Sequence, residues 1–165
     1  MLCTGDVTVK KNWKTYALYV ALSEAVGTLS GWLSREGTEI YNRTALKPAL
    51  SPPPWLFPVV WAILFALMGI GAARIALGPA SEMRRRNLRL FAVQLGFNFF
   101  WSLIFFNARA YGAAFLWLVV LWGLIVWMTL SWAEQDDWAA RLQLPYLAWV
   151  FFAGYLNLGV WLLNR

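Results

Sequence analysis

Apolar runs about twenty residues long recur from one end of the chain to the other, and no other feature constrains its fold as tightly. A helix rising 1.5 Å per residue needs about that length to cross the roughly 30 Å hydrocarbon core of a bilayer. Five such runs can be drawn, at about 13–33, 55–77, 88–106, 111–132 and 144–163. Only helices or closed barrels satisfy backbone polar groups in lipid, and these runs are too long and continuous for barrel strands. The sequence predicts an all-α fold: an integral membrane bundle of five transmembrane helices, with residues 1–165 as one domain. Lys10, Lys11 and Lys14 precede the first run as they would in a signal peptide. Apolar residues continue past Glu24 to Leu33, so the run reads as a retained helix.

The composition agrees and removes whole classes of chemistry. Only 13% of the residues are charged, about half of the roughly 25% usual in soluble domains. The chain has no histidine, and its single cysteine, Cys3, stands in a polar N-terminal tail. That excludes a zinc site, a CxxC redox pair, a histidine-ligated haem and an intrachain disulfide, so neither a metal nor a resident cofactor is expected. The formal charge of +6 sits at segment ends, where it reads as topology and contact with the lipid bilayer, not as a nucleic-acid surface. With five spans, nine Lys and Arg fall on the side of the N-terminus and five on the other, the run Arg84–Arg89 making most of the difference. The positive-inside rule then predicts a cytoplasmic N-terminus and an external first connection.

That connection, residues 34–54, is the longest, and it reads as a lid loop. It leads into "LKPALSPPPWLFPVVWAILF", where five prolines crowd the start of a helix and two tryptophans stand six residues apart. Proline is tolerated in a first helical turn, where its missing N–H has no partner, so Pro52 to Pro54 fix the approach and Pro58 closes that turn. Phe57, Trp61, Phe65 and Met68 then share one helical face. Gln94, Asn98, Trp101 and Phe105 do so on the third run, and Pro145, Trp149, Ala153 and Asn157 on the fifth. Amides in apolar helices need partners and rarely face lipid, so these faces are expected to point inward. Three aromatic faces with sparse amides describe a cavity for a flat, mostly apolar ligand. Arg35, Arg43 and Lys47 in the lid are candidates to meet carboxylates on its rim.

At these residues the chain resembles the TspO/MBR family, the tryptophan-rich sensory or translocator proteins formerly called peripheral benzodiazepine receptors. The resemblance covers about Gly27 to Asn164 and rests on "KPALSPPPWLFPVVWAILFALMGI", "QLGFNFFWSLIFF" and "LPYLAWVFFAGYLNLGVWLLN", in that order. It implies a five-helix membrane bundle, commonly a homodimer, in a bacterial cell membrane. It further implies a lidded cavity that binds porphyrins such as protoporphyrin IX and haem, and synthetic isoquinoline carboxamides and benzodiazepines. The implied ligand-binding residues are Tyr41, Trp61, Phe65, Asn98, Trp101, Trp149, Ala153 and Asn157. Some bacterial members degrade protoporphyrin IX in light, and the tryptophans implied in that activity correspond to Trp61 and Trp149. Two departures are visible. Ala49-Leu50 stands where many members carry a tryptophan after the Lys-Pro. Leu158 and Leu162 stand where the cholesterol motif of animal members has a tyrosine and a basic residue, so specific cholesterol binding is not expected.

Two other readings compete. Glu24 is a carboxylate in the middle of an apolar helix, a functional candidate by default, and it supports a proton-coupled small-molecule exporter. Against this stand a structural role, because Ser23, Gly27 and Gly31 form a small-residue packing face around it, and a direct ligand contact by Glu24. A regulatory membrane subunit docking through the arginine run is the other alternative. No nucleophile–base pair or metal cluster is visible, so hydrolysis and ordinary redox catalysis are not expected. Light-driven porphyrin oxidation is compatible with that absence, because the pigment itself would be the photosensitiser.

Overall fold

The computed structural model describes residues 5–165, with side chains from Asn12 onward. Cys3 lies outside the described residues, as do the side chains of Lys10 and Lys11. Every regular element described is helical. In chain order these are α1 (Gly5–Leu33), α2 (Arg35–Thr44), α3 (Leu56–Leu77) and α4 (Glu82–Ser102), continued by a π-helical turn (Leu103–Asn107). Then follow α5 (Tyr111–Ala133), the short α6 (Asp137–Arg141) and α7 (Leu144–Leu163).

Four of these units are long and apolar enough to cross a membrane: α3, α4 with its π turn, α5, and α6 with α7. The sequence predicts five. The remaining candidate, α1, has 29 residues and ample length, but Lys14, Ser23, Glu24, Thr28 and Ser30 dilute its apolar character. It packs closely along α3, and glycines set the distance. A β-carbon on Gly69 would lie 2.5 Å from the Val20 backbone, and one on Gly27 would lie 2.1 Å from the Phe65 ring. The Ser23 end of the expected packing face is fully buried, whereas a β-carbon on Gly31 would meet nothing within 4 Å.

Residues 34–54, expected to be a loop, are helical in their first half. Helix α2 lies across the π turn, where Gly37 leaves room for the Phe106 carbonyl: a β-carbon there would sit 2.5 Å from that oxygen. Its charged residues Glu36, Glu39 and Arg43 face outward, Arg43 pairing with Glu39 one turn away. Helix α4 also starts six residues before the expected position 88, because Ser81 accepts a bond from the Arg84 backbone N–H at 3.1 Å and caps the helix. Helix α3 begins at Leu56, so Pro58 does fall within its first turn.

The shared core is apolar, built from Met68, Ala72 and Ile75 of α3, Phe91 and Leu95 of α4, Leu121, Ile125 and Met128 of α5, and Val150 of α7. The end of the bundle far from α2 is tied by polar side chains. Arg74 makes a two-pronged contact with Asp136, at 3.0 and 3.1 Å, and Asp136 caps α6 through the Ala139 N–H at 3.0 Å. Burial raises the Asp136 carboxyl, but the Ala139 N–H and the Arg74 guanidinium outweigh it and hold the group below its ordinary range. Arg84 donates to the Gly78 carbonyl at 3.0 Å, close to the C-terminus of α3. Asn87, Ser131 and Gln135 join α4 to α5. Part of the arginine run is thereby committed to holding helix ends together.

Candidate ligand cavity

Beneath α2 the helices α1, α3, α4 and α7 diverge around a cavity of about 550 Å³. The aromatic stripe of α3 supplies Phe57, Trp61 and Phe65, with the Trp61 and Phe65 rings 5.5 Å apart. Trp149 of α7 meets Phe57 edge-on at 5.9 Å, and Ala153 and Asn157 continue the same wall. From α4 come Asn98 and Trp101, and from the π turn Phe105 and Phe106. Tyr41 reaches in from α2 and packs against Phe105 at 5.3 Å and Phe106 at 5.4 Å. All eight residues singled out from the sequence line this one space: Tyr41, Trp61, Phe65, Asn98, Trp101, Trp149, Ala153 and Asn157.

The amides are held by partners that sequence spacing does not reveal. Asn98 donates to the Tyr146 hydroxyl at 2.8 Å, and that hydroxyl donates to Gln94 Oε1 at 3.0 Å. Tyr146 is fully buried and meets Trp61 edge-on at 6.2 Å, so it braces the cavity from behind. The sequence reading missed it; the only signal was a tyrosine in the apolar start of α7, directly after Pro145. Trp101 Nε1 donates to Asn157 Oδ1 at 3.2 Å, and Asn157 Nδ2 donates to the Tyr111 carbonyl at 2.8 Å. This chain fixes the Trp101 ring. Trp149 Nε1, by contrast, is buried without a partner among the described residues.

The π turn is what brings α4 into register with the lid. An extra residue per turn is a frequent feature of functional sites, and here it rotates Phe105 under Tyr41 while Asn107 donates to the Leu33 carbonyl at 3.0 Å. The proline-rich segment after α2 is pinned to the far end of α7. Leu46 N–H donates to Asn164 Oδ1, Asn164 Nδ2 donates to the Leu46 carbonyl, both at 2.9 Å, and Tyr155 donates to the Ala49 carbonyl at 3.0 Å. Pro48 occupies the space over Gly159, where a β-carbon would lie 2.6 Å away.

The charges divide unequally. Arg35 lines the cavity, its guanidinium 4.7 Å from the centre of the Trp32 ring and bonded to the Trp32 carbonyl at 2.9 Å. Arg43 is engaged with Glu39, and Lys47 donates to Asn42 at 3.1 Å while standing 5.2 Å from the Tyr41 ring centre. Burial, seconded by neighbouring Tyr111, pushes the Tyr41 phenol up to about 12, so at neutral pH it keeps its proton. Glu24, read from sequence as a packing, transport or ligand-contact residue, stands on the cavity wall with Gly27, Thr28 and Gly31.

A lidded cavity with tryptophans on three helices, inside a helical chain with several membrane-length segments, can be compared with known proteins. The profile of the TspO/MBR family matches residues 19–162. The chain belongs to the TspO/MBR family. It is 39% identical over 158 residues to the tryptophan-rich protein TspO of Chlorobaculum tepidum, covering 94% of this chain and 99% of that one. It is 42% identical over 121 residues to protein CrtK of Rhodobacter capsulatus, with 72% and 74% covered. Its identity to the translocator protein of Sus scrofa is 40% over 146 residues, with 85% and 86% covered. Membership makes this chain a membrane protein, and its cavity suits a hydrophobic small molecule.

Proposed function

We propose that this TspO/MBR protein is a receptor or translocator-type membrane protein that holds a porphyrin, such as protoporphyrin IX or haem, in the aromatic cavity under α2. The observation that carries the reading is the convergence of Trp61, Trp101 and Trp149 on one space of about 550 Å³, within the range of ligand pockets. A flat macrocycle can stack on these rings, each aromatic contact adding about 0.5–1.5 kcal/mol beyond buried area. Tyr41 and Phe65 extend the apolar lining, Asn98 and Asn157 supply fixed polar edges, and Ala153 leaves room. Arg35 at the mouth suits a ligand carboxylate. In this reading α1 is a fifth span that completes the cavity wall, the N-terminus is cytoplasmic, α2 lies outside a bacterial cell membrane, and the protein is a homodimer.

The test is protoporphyrin IX titration of the detergent-purified protein in the dark, followed by tryptophan fluorescence quenching, with Trp61→Phe and Trp149→Phe alongside. Saturable binding weakened about tenfold or more by each change is the expected result. Binding that is unchanged by both would move the ligand out of this cavity. Illuminating the same complexes separates binding from photochemistry. Light-dependent porphyrin loss slowed by the two changes would assign Trp61 and Trp149 to degradation.

A further inference from the structure

Glu24 is the one carboxylate on the described cavity wall, and the porphyrin reading makes no use of it. It is half-buried, and none of the ion pairs among the described residues includes it. The other titratable groups lining the cavity are Arg35 and Tyr41. From Glu24 to the end of α1 at Leu33 the helix advances about 13 Å, so Arg35 lies too far along to neutralise it. Arg35 is also occupied by the Trp32 carbonyl and ring, and by Glu36 at 3.6 Å. Along α1 the neighbours of Glu24 on the cavity face are Gly27, packed under the Phe65 ring, Thr28, and Gly31, where a β-carbon would meet nothing within 4 Å. The aromatic residues Phe57, Trp61, Phe65 and Trp149 line the same cavity.

A carboxylate in an apolar wall is costly unless an opposite charge meets it, and aromatic faces attract cations. Together they are the chemistry that recognises an ammonium group. We propose that Glu24 forms an acidic subsite of this cavity that takes the protonated amine of a flat aromatic ligand, whose rings lie against Trp61 and Trp149. The inference rests on the cavity reading above and adds a ligand class to it. Aromatic amines enter with the cation toward Glu24, and a ligand that also carries an acid turns that end toward Arg35.

The test compares 9-aminoacridine, cationic at neutral pH, with acridine, a neutral molecule of nearly the same shape. Binding is measured by calorimetry on the protein in zwitterionic lipid nanodiscs, with empty nanodiscs subtracted. Wild type should bind the cation about tenfold more tightly than the neutral ring. Glu24→Gln should erase that preference while acridine binding stays the same, and Glu24→Asp should keep most of it. Equal affinities on wild type, a preference that survives Glu24→Gln, or failure of both probes to bind would each overturn the proposal. Acridine binding without charge preference would overturn this inference alone. Ammonium preference without protoporphyrin binding would overturn the porphyrin reading alone.

Discussion

Two cavity tryptophans, Trp101 and Trp149, differ in what their indole N–H groups do. That of Trp101 is bonded to Asn157, which in turn holds the Tyr111 carbonyl; that of Trp149 has no partner among the described residues. Replacing Trp149 by phenylalanine therefore breaks no hydrogen bond, whereas Trp101→Phe leaves the Asn157 oxygen unpaired in a part-buried site. We expect Trp101→Phe to cost about 1–3 kcal/mol and lower the detergent melting temperature, with Trp149→Phe close to wild type. Equal melting temperatures for the two variants would contradict the roles given to these bonds. Residues such as Asn98 and Asn157 were legible in the sequence because an amide in an apolar helix must find a partner inside the bundle. Tyr146 was not, because its hydroxyl partners Asn98 and Gln94 lie on another helix and no local spacing announces them. Glu24 was legible as an anomaly, but only the divergence of α1 from its neighbours shows that it faces a cavity and not a packed seam.

The element that sequence reasoning described least well is the lid. Its proline-rich half was legible, since Pro52 to Pro54 allow little but an extended approach to α3. Its first half was not, because α2 is short and carries Gly37, a poor helix residue. What holds α2 in place is tertiary: the π turn beneath Gly37 and the rings of Phe105 and Phe106 around Tyr41. The prolyl half is tied down by Asn164, the C-cap of α7, through two bonds to Leu46, and by Tyr155 through one to the Ala49 carbonyl. Asn164→Ala removes two of these three bonds and should loosen that half without touching the cavity wall. Stopped-flow dissociation of protoporphyrin IX is then expected to be about tenfold faster, with a smaller change in the association rate. An unchanged dissociation rate would mean that the Leu46–Asn164 clasp does not hold the lid shut.

At the scale of the whole molecule, apolar run length gave the helical membrane class, and the three motif-bearing helices gave the family. The span count is where sequence and structure differ: the sequence predicts five, and four described units are long and apolar enough to cross a membrane. Helix α1 is long enough but less apolar, because Glu24, Thr28 and Ser30 line the cavity and Lys14 is exposed. The same arrangement explains how one molecule separates its two jobs. The end near Asp136 is cross-braced by ion pairs and amides, while the α2 end is left hollow and covered by a lid. The central claim, that the ligand sits in this hollow, is tested most directly by filling it. Gly31 lines the cavity, and a β-carbon there meets no atom within 4 Å, so Gly31→Phe starts its side chain in open space and is expected to carry the ring into the cavity. The variant should melt at or above the wild-type temperature, since phenylalanine is the better helix former, and should lose saturable protoporphyrin IX binding by more than about tenfold. A folded Gly31→Phe protein that binds the porphyrin as tightly as wild type would contradict the account.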